Sequence, residues 1–542
     1  FYIPPENGRW EYMYPPRGKL WKEIAPAGRK TQPQDRVTEY SYDDAGRVVR
    51  KSGPEGTSTY AYNENGWLQR MKKPGGIEYT YNEYDPRGYV RKAIGPEGRS
   101  FTWSRDGSGL VIEMSDPEGT RVYNYDGAGR RTYRNDIAGR ETHWTYNNRG
   151  LVREVQYPDE RIEFEWDEAG RMTVADDPDM RETFEYDRAG RIESVGYIDV
   201  GKTVRFKYNE GGELKKISSP EERVRKYTRD AAGRVEEFTG PEGIGAEFLY
   251  DRRGRMTSVH YANGSAATLS YDPSNLLTTY HWQGRGVELF KREYLYYPDG
   301  ALKRRRESRY RSRFTYDPAG RLTKAEYPAQ LIENIRGWQD AQFPPGHAPG
   351  YDEIYSPGVP ASSKPGGMPP GGGPAGGGEA WDDQAVFPDI VGTERWSYDD
   401  AANITGRRRD GQRENFRYTG LNRLVQAGPV TYDYNRAGEV TEKQGTDGAA
   451  EYEWNGRGEL VKAELSDGSQ VTYGYDAFGR LVRRTKTPAK GEVPPVVEKS
   501  LYIWHEREIL AEYDEGESGE LELYKEYFRS SGRLVAVKMH GF

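Results

Sequence analysis

Along most of this chain, polar and apolar residues alternate over six or seven positions and then give way to a cluster of Gly, Pro or Asp. Thr57-Ser58-Thr59-Tyr60-Ala61-Tyr62 is one such run and Arg47-Val48-Val49-Arg50-Lys51 another. A period of two, with Val, Thr and aromatic residues bounded by turn formers, predicts short strands paired as β-hairpins. No stretch carries the 3.6-residue period and caps of a long helix. The predicted fold class is all-β.

The turns themselves repeat. Tyr-Asp-x-x-Gly-Arg stands at Tyr42-Asp43…Gly46-Arg47, Tyr125-Asp126…Gly129-Arg130, Tyr186-Asp187…Gly190-Arg191, Tyr250-Asp251…Gly254-Arg255, Tyr316-Asp317…Gly320-Arg321 and Tyr475-Asp476…Gly479-Arg480. Looser copies such as YNENGW at 62–67 and WDEAGR at 166–171 fill the gaps, and a second turn signal such as GPEG at 95–98 falls about ten residues after each motif. A period of about 20 residues means a stack of one supersecondary unit, here a spiralling ribbon of antiparallel β-hairpins. Asp closes the turn by accepting backbone N–H groups, and Gly supplies the positive φ. Tyr is suited to stacking on the tyrosine of the next unit, and Arg to lying over a ring or pairing with a carboxylate. These 24 residues are the expected structural ladder.

Composition thins the picture. Hydrophobic residues make up 35% of the chain, 43 residues are Tyr and charged residues reach 30%. A thin sheet wetted on both faces fits, and curling it yields a hollow shell or barrel with polar surfaces inside and out. The net charge of −7 does not recommend nucleic acid as a partner. Basic clusters at Arg304-Arg305-Arg306 and Arg407-Arg408-Arg409 read as solvated strand edges. No apolar run is long enough to span a bilayer, and the absence of Cys removes disulfides and thiol chemistry.

Four stretches follow: 1–35, a Pro- and aromatic-rich cap or edge; 36–327, a repeat array; 328–395, a Gly/Pro-rich insertion or linker; and 396–542, the resumed array. The stretch 501–528 reads as one longer hairpin turning at Asp514-Glu515-Gly516.

Candidate chemistry is sparse. Adjacent acids at Asp43-Asp44, Asp176-Asp177 and Asp382-Asp383 are better explained as turn residues than as acid–base pairs. The six histidines are scattered without ligand spacing, and His505 beside Trp504 reads as a packed strand residue. No catalytic, cofactor-binding or metal-binding residue is expected, and no cofactor.

The motifs YDDAGR, YDRAGR and YDAFGR, each followed by Leu, Ile or Val, resemble the Rhs/YD-repeat family of bacterial polymorphic-toxin and toxin-complex shell proteins and, more distantly, the teneurins. The resemblance implies a hairpin ribbon wound into a hollow shell around a toxin polypeptide, from the same precursor or a partner chain. Secretion machinery or a capping subunit is the further implied partner, with release from a bacterial cytoplasm to the exterior or cell surface. The family's DPxGxxGG-like self-cleavage segment has no match here, so no catalytic aspartate is carried over, and the chain is expected to be a fragment or a shell component. An adhesion or carbohydrate-binding scaffold, as in the teneurin branch, is the alternative; a glycan-degrading enzyme on the same frame is a further one.

Overall fold

The computed structural model describes residues 11–14, 18–24, 37–53, 56–284, 286–297, 300–307, 310–317, 320–328, 390–399, 402–420, 422–446, 448–489, 491, 496–516, 518–530 and 533–540. The Gly/Pro-rich run from Phe343 to Gly378 and the pair Asp382-Asp383 lie outside them. Among the described residues there are 44 strands, joined in antiparallel order, and the only helical segments are three-residue 3₁₀ turns such as Pro96–Gly98 and Pro241–Gly243. The protein is an all-β ribbon of hairpins.

One hairpin shows why the sequence folds this way. Arg161–Trp166 pairs with Met172–Asp176, its outward residues Arg161, Glu163 and Glu165 polar and its inward ones Ile162 and Phe164 apolar, with Phe164 opposite the buried Ala175. The pairing slips by one residue between Glu165 and Trp166, and the same bulge precedes the motif aromatic in hairpin after hairpin, as at Ser41/Tyr42 and Glu185/Tyr186. A bulge adds twist and re-aims the side chain beside it. That device stands beside the motif tyrosines Tyr42, Tyr125, Tyr186, Tyr316 and Tyr475.

The chain divides into two compact units, one built from Phe1–Thr102 and Phe248–Gly428, the other from Trp103–Glu247 and Pro429–Phe542. In the first, buried apolar residues run along successive strands, from Phe248 and Val259 through Leu269 and Tyr294 to Phe314 and Ala325. In the second, Met180, Tyr197, Val204, Phe206 and Ile217 pack with Val482, Leu501, Ile503, Leu510 and Tyr513 in a single cluster. A thin sheet wetted on both faces is therefore not what forms. Burial of this kind, at roughly 25 cal/mol per Å² of apolar surface, is what joins distant parts of the ribbon.

Two further expectations are corrected. Arg304–Arg306 and Arg407–Arg409 lie in strands Leu302–Glu307 and Ile404–Arg409, each paired on both sides, so neither is a strand edge. The stretch near 501–528 holds three strands, Glu498–His505, Glu508–Glu515 and Leu521–Ser530, because Glu506, at φ 52°, turns the chain once more than the sequence signals showed.

Candidate functional site

The repeat motif forms the same small structure each time. In YDDAGR the Asp43 N–H donates to the Arg47 carbonyl at 3.0 Å and the Gly46 N–H to the Asp43 carbonyl at 2.8 Å. Asp43 Oδ1 accepts the Arg47 N–H at 2.8 Å, and Arg47 Nε donates to Asp43 Oδ2 at 2.7 Å. The pattern recurs at Asp126–Arg130, Asp187–Arg191, Asp251–Arg255, Asp317–Arg321 and Asp476–Arg480, with the Nε–Oδ2 distance between 2.5 and 2.8 Å. Gly129, Gly190, Gly254, Gly320 and Gly479 take φ between 75° and 80°, where a Cβ is strained. Hydrogen bonds from the backbone N–H and guanidinium of Arg191 hold the Asp187 carboxyl below its ordinary range.

Successive motifs are linked by cation and phenol rather than by ring on ring. Arg47 lies 4.6 Å from the ring of Tyr62, Arg130 4.6 Å from Tyr146, Arg191 4.5 Å from Tyr208, Arg255 4.8 Å from Tyr271 and Arg321 4.9 Å from Tyr398. The tyrosine hydroxyl donates to a backbone carbonyl of the preceding hairpin, as Tyr125 to Val111 at 2.9 Å, Tyr186 to Met172 at 2.6 Å and Tyr475 to Leu460 at 2.8 Å. At those five arginines the cation–phenol bridge stands in place of the expected ring on ring, while Tyr316 meets Tyr297 edge-on with ring centroids 6.0 Å apart. Tyr42 likewise donates to Leu20, and Tyr250 and Tyr316 end the strands that lead into their own turns.

Within the second unit, the motif turns of the late hairpins meet the opposite turns of much earlier ones along a seam. The earlier turns read YPDE at 157–160 and DPDM at 177–180. Asp159 accepts the Gly456 N–H at 2.8 Å and Asp179 the Tyr475 N–H at 3.0 Å. Arg457, its side chain only 7% exposed, reaches Glu160 at 2.6 Å, Asp177 at 3.0 Å and Glu459 at 2.8 Å. Arg480 holds Glu182 at 2.6 Å and its own Asp476 at 2.5 Å, both carboxylates fully buried. The contacts advance in step: Arg140 with Glu439, Glu160 with Arg457, Glu182 with Arg480, Tyr197 with the Trp504 carbonyl, Tyr513 with Glu221, and Arg223 with Glu526. Two stretches of ribbon with the same repeat length thus lie in register.

The seam is rich in acid. Burial pushes Glu160 up to about 7, Asp177 to about 6 and Glu182 to about 7, against the pull of Arg457 and Arg480. Burial also lowers His505, whose ring sits 4.7 Å from that of Phe206. Among the described residues no group of three or more His, Cys, Asp or Glu has the arrangement to hold a metal ion. Of the seam residues, Tyr475, Asp476 and Arg480 belong to the expected ladder and Asp177 to an acid pair read as a turn. Glu160, Glu182, Arg457 and Glu459 carry no sequence signal of their own beyond the Pro-Asp at 158–159 and 178–179 that stands in place of the usual Pro-Glu-Gly.

The Teneurin YD-shell family model matches residues 12–174, 136–246 and 386–492, more than half of the chain, and the RHS repeat model matches 250–285. Double-stranded DNA deaminase toxin A of Burkholderia cenocepacia (strain H111) is 26% identical over 237 residues, which are 36% of this chain and 16% of that protein. The crystal structure of TcdB2-TccC3-Cdc42 aligns with a TM-score of 0.69 at 14% identity, over 98% of this chain and 30% of that one. The Tc holotoxin pore of Photorhabdus luminescens aligns at 0.63 with 13% identity, over 98% of this chain and 32% of that one. The chain spans about a third of the solved chains it matches and under a fifth of the curated relative.

Proposed function

The chain belongs to the Teneurin YD-shell family, and on that premise we propose that it forms the wall of a non-enzymatic hollow shell that encloses a toxin polypeptide until delivery. The observation that carries this reading is the seam: hairpins about 300 residues apart in sequence are fastened side by side at Arg457 and Arg480. A ribbon joined only along its length leaves slots between successive windings, whereas lateral fastening makes a continuous barrier to a protease or an escaping chain. The Tyr hydroxyls are tied to backbone carbonyls and the motif charges are paired within their own turns. A wall lined this way offers an unfolded cargo few strong hydrophobic holds.

The toxin named in the Burkholderia relative and the Tc assemblies named in the solved structures support a toxin as the partner. Delivery to the cell exterior, through secretion machinery or a capping subunit, is part of the same proposal. Among the described residues no helix is long and apolar enough to cross a membrane.

A reporter polypeptide fused in frame after residue 542 tests the reading. In the intact chain it is expected to resist protease, and in a chain carrying Arg457→Ala and Arg480→Ala to be digested. Digestion of the reporter in the intact chain as fast as the free reporter overturns enclosure.

A further inference from the structure

Strand register places alternate members of the two arginine clusters, the buried Arg304 with Arg306 and Arg408, on one face of the first unit. Arg304 stands directly opposite Arg313, and Arg306 opposite Arg311. Lys324 faces Arg395, Arg395 faces Arg408, and Arg408 faces Arg413. Residues directly opposite in an antiparallel pair share a face, with side chains about 5 Å apart, and like charges so placed destabilise the sheet. Here four cations in a row cross four consecutive strands, a distance of about 14 Å.

Acidic relief is uneven. Arg306 pairs with Glu293, and Lys324 with Glu326 at 2.6 Å. Among the described residues, no carboxylate lies within ion-pair distance of Arg395, Arg408 or Arg413, and all three are exposed. By contrast, the neighbours on the other face of the same strands are matched, Arg407 to Glu414 at 2.8 Å and Arg409 to Glu394 at 2.9 Å. The sheet neutralises its arginines on one side and leaves a row of them uncompensated on the other.

We propose that this row, Arg395–Arg408–Arg413 with Lys324 at its head, is a docking surface for an extended acidic stretch of another polypeptide. Charge complementarity argues for an anionic partner. The near-exclusive use of Arg fits carboxylates, which its planar fork takes two oxygens at a time. No aromatic side chain stands in these cross-strand rows, and single-stranded nucleic acid is held largely by stacking on such rings. The row is a property of one unit and does not rest on enclosure of a cargo.

The test is fluorescence anisotropy of a labelled oligoglutamate on the full chain at low and raised salt. Binding is expected to weaken at least tenfold in the combined Arg395→Gln, Arg408→Gln, Arg413→Gln variant, whose fold is checked by circular dichroism and melting. Should that variant unfold, the single change Arg408→Glu is expected to weaken binding several-fold alone. Unchanged affinity in either folded variant overturns the proposal. So does tighter binding of oligothymidylate than of oligoglutamate, or binding confined to anionic vesicles.

Discussion

Arg191 and Arg480 occupy the same place in the repeat and hold different things. Arg191 pairs with its own Asp187 and lies over Tyr208 of the next hairpin, so its partners are all within a few tens of residues. Arg480 makes the same bond to Asp476 but also clasps Glu182, 298 residues earlier, out of reach of water. The repeat therefore supplies local order by identical means everywhere, and lateral order arises where a copy is put to a second use. The second use depends on acids placed in the partner hairpins: Glu182 in the strand that meets Arg480, and Glu160 and Asp177 in the turns YPDE and DPDM that meet Arg457.

The sharpest way to break this contrast is to remove both guanidinium groups in turn. Arg480→Ala leaves Glu182 and Asp476 buried and unpaired, and is expected to destabilise the second unit by about 3–5 kcal/mol. Arg191→Ala loses a cation–π contact and a partly exposed pair, about 1 kcal/mol. Urea unfolding followed by tryptophan fluorescence distinguishes the two, and equal losses would mean the seam adds nothing to the motif.

Acidity sharpens it next. The folded-state values of Glu160, Asp177 and Glu182 lie above their unfolded ones, so protonation favours the folded state. Their contribution is fully present below the unfolded carboxylate range and is lost as pH climbs through about 6 to 7. Motif acids such as Asp43 and Asp187 are lowered and act with the opposite sign, losing their contribution only in strong acid. The seam transition is expected to melt higher at pH 5 than at pH 8, with Glu182→Gln flattening the difference. A melting temperature that rises steadily from pH 5 to 8 would contradict it.

Two smaller effects probe the turn alone. Gly129→Val puts a branched residue at φ 78°, although its Cβ would meet only Leu110 Cδ1 at 3.6 Å, so the cost of about 2 kcal/mol is conformational. Unchanged protease resistance and melting would dismiss that role. Conversely, Ala402 holds the glycine position of its motif at φ 70°, and Ala402→Gly is expected to raise stability by up to about 1 kcal/mol in the same melting assay.

What could be read from the residues is what they settle among near neighbours. The hairpins, the Asp43-type turn and the glycine φ all follow from side chains within five positions. The Arg47-to-Tyr62 bridge was half legible: the residue types were apparent, but one-dimensional spacing displays neither the bulge beside Tyr62 nor which of ring and cation meets it. The core around Met180, Tyr197, Val482 and Ile503 left no mark, because single apolar residues spread over many short strands look like the half-wetted pattern of any one sheet. Glu182 and Arg480 were each ordinary in their own repeat, and nothing local tells which pair will be neighbours.

Because each strand pairs with the one made just before it, successive hairpins can form while the polymer is still leaving the ribosome, at the small entropic cost of closing short loops. The fastening at residues 160, 182 and 223 has to wait until residues 457, 480 and 526 exist. Synthesis thus sets a clock: the windings around residues 160, 182 and 223 stay open-sided until the hairpins carrying residues 457, 480 and 526 emerge and lock them.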